Sequence, residues 1–159
     1  MSEPPIAVRP AVAADHPAVA ALALEVLEHH VAAVPGVFAP TAGVLPEAYY
    51  ADLLSDPDTG VLVAEYDSAV AGFAVLQLRR TTLPVHVPRT VAYVQQFGVS
   101  RTARRGGVGR ALLAACAAWG RERHAGTLEL DCWEANQAAI AFYTAQGMRV
   151  TRRYFALDL

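Results

Sequence analysis

Lysine is absent from the 159 residues, and all thirteen basic side chains are arginine. That excludes a phosphate-binding loop of the Gly-Lys-Ser/Thr type. Cysteine is scarce. Cys116 and Cys132 are too few for a disulfide framework and form no CxxC or Cys/His cluster, so no metal is implied. Both read as small buried residues in a reducing cytoplasm. No apolar run reaches the ~20 residues a bilayer needs. Met1-Ser2-Glu3-Pro4-Pro5 lacks the basic start and apolar run of a signal peptide, so the expected location is cytoplasmic, with no membrane partner.

Aspartate and glutamate are missing between Ser68 and Arg121. That stretch holds Arg79, Arg80, Arg89, Arg101, Arg104, Arg105, Arg110 and Arg121. The formal net charge is only −2, which argues against a general nucleic-acid binder. An acid-free central third in a balanced protein instead gives a local positive field, suited to a small polyanion. The hydrophobic fraction of 54% and charged fraction of 18% exclude disorder and a coiled coil. They allow one domain over residues 1–159 with a core of its own.

Patterning predicts a strand at Ile6–Arg9 and a helix capped by Asp15 that ends near His30. A second helix opens at Pro46, with Tyr49, Tyr50, Leu53 and Leu54 as its apolar face. Strands follow at Val61–Tyr66 and Val70–Leu78, joined by a turn at Asp67-Ser68-Ala69, and at Thr90–Val99. A helix runs from the glycine loop to about Arg123, with Val108, Leu112, Ala115, Cys116 and Trp119 on one face. Leu128–Trp133 reads as a strand and Asn136–Gln146 as a helix stopped by Gly147. Met148–Tyr154 and Phe155–Leu159 complete a terminal strand pair. The expected fold is mixed α/β: a mostly antiparallel central sheet of about six to seven strands, flanked by helices, with one parallel crossover between Thr90 and Trp133.

Strand, glycine-rich turn, helix is an arrangement that binds phosphate. Glycines let the backbone approach, and the first amides of the helix have no internal partner. Arg104-Arg105-Gly106-Gly107-Val108-Gly109-Arg110 has that form. It is not a dinucleotide fingerprint, because Leu112 stands where the third glycine belongs.

Arg104-x-x-Gly107-x-Gly109, after a strand ending Phe97-Gly98-Val99, resembles the Arg/Gln-x-x-Gly-x-Gly/Ala signature of the Gcn5-related N-acetyltransferases. Asn136-x-x-Ala139-x-x-Phe142-Tyr143, before Gly147-Met148, resembles the second motif of that family. The resemblance implies acetyl transfer from acetyl-coenzyme A to a primary amine of a small molecule or peptide, by direct attack in a ternary complex. It implies that the pyrophosphate lies on the loop from Arg105 to Arg110, with Arg104 and Asn136 also in the coenzyme site. The pantetheine arm would pair with the backbone of Phe97, Gly98 and Val99.

Thioester aminolysis needs a neutral amine, a stabilised oxyanion and a proton for the leaving thiolate. The resemblance makes Tyr143 the general acid. Tyr93-Val94-Gln95-Gln96 carries no base, although many relatives place Glu or His on this strand. Glu134, at a strand end, is the next candidate, and His29 and His30 could line the acceptor cleft. Some route must exist, because an alkyl amine with pKa ~10.4 is only about 0.04% neutral at pH 7. Acceptor choice falls to the first helix and the loops Val31–Pro46 and Thr81–Arg89. Their apolar tone gives no sign of the acidic surface a polyamine or aminoglycoside would need. The missing strand base keeps open a non-catalytic coenzyme A-binding module, and the glycine loop alone would also fit another nucleotide. The apolar Pro84–Pro88 loop suggests a homodimer contact.

Overall fold

The computed structural model describes residues 5–159. The reading of Met1–Pro4 therefore lies outside the described residues. Strands β1 (Ala7–Pro10), β2 (Thr59–Tyr66), β3 (Ala69–Thr81), β4 (Arg89–Val99) and β5 (Thr127–Glu129) form one sheet in the order β1-β2-β3-β4-β5. The first three pairings are antiparallel and β4–β5 is parallel. Helices α1 (His16–Ala33) and α2 (Glu47–Ser55) precede β2. Helix α3 (Val108–Glu122) makes the crossover from β4 to β5, and α4 (Gln137–Ala145) comes after it.

Val61, Leu62, Val63 and Ala64 are all buried. A strand with a helix layer on each face loses polar alternation, so this run is continuously apolar. Val61, Val63, Phe73 and Val75 pack under α1 and α2 with Val19, Leu22, Tyr50 and Leu53. Leu62, Ala64, Ala74, Leu76, Ala92 and Val94 pack under α3 with Val108, Leu112, Cys116 and Trp119. Asp67 and Ser68 both have positive φ, 52° and 62°, as a two-residue hairpin turn of type I′ demands.

A bulge and a short pairing partner give β4 an open edge. Val75 faces Gln96 and Leu76 faces Val94, so Gln95 is an extra residue, a β-bulge. Bulges bend a strand and sharpen its twist. Pairing with β5 covers only Val91, Ala92 and Tyr93. Beyond Tyr93 the two strands part, and among the described residues the β5-side edge of β4 has no strand partner up to Val99. Gly98 lets α1 cross here. A Cβ at that position would lie 2.7 Å from both Phe73 Cε1 and Val26 Cγ2.

Several expectations need correction. Among the described residues the sheet has five strands rather than six or seven. Residues 148–159 form no strand pair, and Val150, Tyr154, Phe155, Leu157 and Leu159 are exposed. In Met148–Tyr154 the arginines fall on both alternate faces, Arg152 on one and Arg149 and Arg153 on the other, so that stretch has no apolar face to bury, and Phe155–Leu159 is left without a pairing partner. The expected Leu128–Trp133 strand stops at Glu129, since the chain leaves β4 at the bulge. Helix α1 continues to Ala33, past His30. Asp15 does not cap it. Its carboxylate accepts from the Val12 amide (2.8 Å) and from both Arg9 terminal nitrogens (2.8 and 2.9 Å), tying β1 to the turn before α1. Cys116 is buried as expected, but Cys132 is exposed.

Candidate active site

The glycine loop leaves β4 through a short turn at Arg101–Ala103 and enters α3 at Gly107. Arg105 and Gly107 take left-handed φ values of 68° and 82°. The first helical bond runs from the Ala111 amide to the Gly107 carbonyl, 3.0 Å. The amides of Val108, Gly109 and Arg110 therefore precede the hydrogen-bonded ladder and are free to meet a ligand. Gly107 offers no capping side chain, and the first turn holds no acid. Arg104, Arg105 and Arg110 enter no ion pair among the described residues. Three uncompensated cations and the positive end of a helix converge on one place, which favours an anion.

This loop joins the open edge of β4 directly. Phe97 rests against Phe142 and Tyr143 of α4, with ring centroids 6.0 and 6.1 Å apart. A Cβ on Gly109 would lie 3.3 Å from the Phe142 ring edge, so glycine here also lets α4 sit close to α3. The Asn136 side-chain oxygen accepts from the Ala139 amide at 3.2 Å and caps α4. That bond fixes the helix carrying Tyr143. Burial, with Cys132 and Cys116 nearby, pushes the Tyr143 hydroxyl up to about 12. It stays protonated at neutral pH and is available as a donor.

On the face of the sheet that carries α1 and α2, Gln77 and Arg79 of β3 adjoin Tyr93 and Gln95 of β4. Gln95 donates to Gln77 Oε1 at 3.0 Å. Arg79 Cζ lies 3.3 Å above the Tyr93 ring centroid. The Tyr93 hydroxyl donates to Asp131, just past β5. Burial first, and that bond second, raise the Tyr93 pKa. His30 stacks on Phe38 at 5.0 Å, and Phe38 meets Trp133 edge-on at 5.6 Å. Burial, then the charge of His29, lowers the His30 pKa, leaving its imidazole neutral.

The structure thus brings Phe97 against Phe142 and Tyr143, and Gly109 against Phe142, with the strand end Phe97–Val99 leading through a short turn into the Arg104–Arg110 loop. Glu134 heads the turn before α4. Its backbone carbonyl accepts from Gln137 at 2.6 Å, while its carboxylate has no hydrogen bond or ion pair among the described residues. Sequence reading missed Arg79 and Asp131. Pairing of β3 with β4 brings Arg79 beside Tyr93, and the chain just past β5 brings Asp131 to its hydroxyl; two consecutive glutamines inside an apolar strand were the one visible signal.

The sequence profile described as "Acetyltransferase (GNAT) family" matches residues 22–148. The chain belongs to this family. Among solved structures similar to this GNAT protein is a variant of the BH1408 protein from Bacillus halodurans. It has a TM-score of 0.92 and 28% identity over 96% of this chain and 99% of that one. The aminoglycoside N-acetyltransferase AAC(6')-Iy in complex with CoA gives 0.74 and 17%, over 99% and 97%. A Trypanosoma brucei acetyltransferase gives 0.67 and 22%, over 98% and 100%. The last two likenesses concern the fold. None of the curated protein sequences matches. No described helix is long and apolar enough to cross a membrane, and no cluster of metal-ligating side chains occurs among the described residues.

Proposed function

We propose that this GNAT protein moves the acetyl group of acetyl-coenzyme A to a primary amine of a small molecule or peptide, by direct attack in a ternary complex. One observation carries the reading. The unpaired edge of β4 runs straight into a helix N-terminus ringed by Arg104, Arg105 and Arg110, none of them neutralised by an ion pair among the described residues. A ligand with an amide-bearing arm and a pyrophosphate needs these two surfaces joined end to end. AAC(6')-Iy, of the same fold, is solved with CoA.

The chemistry follows from where the groups lie. Phosphates take the Val108–Arg110 amides, and the pantetheine amides pair with Phe97–Val99. The amine nitrogen attacks the thioester carbonyl carbon, forming C–N while C–S breaks. A backbone amide of the open edge meets the oxyanion. Tyr143 donates toward the departing sulfur. The proton lost by the amine leaves on the acceptor side, where burial keeps the His30 imidazole below its ordinary pKa and able to accept, with the carboxylates of Asp131 and Glu134 as further candidate acceptors. Thiol release from acetyl-coenzyme A in the presence of an amine panel, with acetylated product identified by mass, tests the reading. Coenzyme A binding by calorimetry without turnover on any amine would instead establish a silent binding module.

A further inference from the structure

Arg79 takes no part in the acetyl-transfer step itself, and its setting is specific. It forms no ion pair among the described residues. The neighbouring Arg80 is paired with Asp58 at 2.7 Å, and Arg89 with Glu129 at 2.9 Å. Arg79 Cζ lies 3.3 Å from the Tyr93 ring centroid, where ring electrons hold the cation. Its Nε points at Gln77 Oε1 from 3.4 Å. The outer fork is left for a planar anion. The adjacent acid, Asp131, is engaged by the Tyr93 hydroxyl rather than by Arg79.

We infer that the acceptor carries a carboxylate as well as its amine, and that Arg79 is the specificity residue that holds it. This rests on the acetyl-transfer reading and names its substrate class: a free amino acid or a short peptide with a free C-terminus. Arg79 has the geometry for bidentate carboxylate binding and the aromatic support that fixes it in place. From Tyr93 to the open edge at Gln96 is three residues, about 10 Å along the strand. A carboxylate on Arg79 therefore leaves an amino acid or dipeptide able to direct its amine to the pantetheine end. Asp131 lies at the far end of Tyr93 to meet the ammonium on arrival.

The test uses matched pairs: phenylalanine and leucine, and the dipeptides Gly-Phe and Gly-Leu, each as free acid and as carboxamide. Thiol release from acetyl-coenzyme A is read with the wild type and with Arg79→Gln, an exposed substitution. The free acids are expected to show kcat/KM about 10- to 100-fold above their amides, the worth of one charge-assisted contact. Arg79→Gln should erase that preference while leaving rates on the amides and coenzyme A affinity unchanged. Activity on amino acids or on dipeptides separates the two sources of the same chemistry. Amides used as well as acids by the wild type, or a preference that survives in Arg79→Gln, would overturn the inference and leave acetyl transfer standing. Absence of turnover on these and on uncharged amines would overturn both.

Discussion

Replacing Tyr143 by Phe removes one hydroxyl and keeps the ring that packs on Phe97 and Phe142 at 6.1 and 5.2 Å. Its pKa of about 12 lies roughly 2 units above an ordinary tyrosine, about 2.7 kcal/mol in favour of the neutral phenol. Handing the proton fully to a thiolate of pKa ~8.5 would therefore be uphill by about 5 kcal/mol. Tyr143 serves better as a hydrogen-bond donor to sulfur as the charge develops. A bond to a charged group is worth ~1.5–3 kcal/mol, or about 10- to 150-fold in rate. Tyr143→Phe should thus lower the single-turnover rate of thiol release by one to two orders of magnitude. Coenzyme A affinity by calorimetry should stay within a few-fold, because ring packing persists. Deprotonation of Tyr143 needs pH near 12, so any limb of the pH–rate profile near neutrality belongs to another group and should remain in the variant. A folded Tyr143→Phe with the full single-turnover rate would refute the argument.

Gly107→Ala forces a side chain into φ of 82° and sets its Cβ 3.3 Å from Ile6 Cδ1. Denaturant midpoints should report a loss of about 1–2 kcal/mol, accompanied by weaker coenzyme A binding; unchanged calorimetry would count against the loop as the anion site. Gly98→Ala meets Phe73 and Val26 at 2.7 Å and should destabilise by ~1–3 kcal/mol through overpacking, read as a lowered Tm. The Arg9 hydrogen bonds hold the Asp15 carboxyl below its ordinary value, so its contribution to stability is complete above pH ~4 and lost as pH falls further. Thermal melts across the acid range should show a shallower pH dependence in Asp15→Asn than in the wild type. The exposed Leu83, Val85 and Val87 of the β3–β4 loop lead us to expect a homodimer; a monomer mass in light scattering at micromolar concentration would reject it.

The sequence by itself determined the parts that depend on local chemistry. The Gly107 and Gly109 spacing, the arginines around it and the free amides of a helix start are properties of a few consecutive residues, and the loop formed as read. The strand–helix–strand crossover and the apolar face of α3 were legible for the same reason: hydrophobic period and turn residues act over short range. On α2, Tyr50 and Leu53 are buried as expected, but Tyr49 is exposed. Tertiary structure alone decided the rest. The extra residue at Gln95 exists only relative to β3, since a bulge is a mismatch between two strands. The place where β5 leaves β4 depends on it, and with it the length of the open edge. The terminal segment had strand-like composition, but Met148–Tyr154 carries arginine on both alternate faces and Phe155–Leu159 finds no strand to pair with, so Tyr154 and Phe155 stayed outside the core. Arg79, Tyr93 and Asp131 come from three separate segments, and nothing in their spacing relates them. Their meeting is a consequence of register, which pairing across the whole sheet fixes and no local stretch encodes.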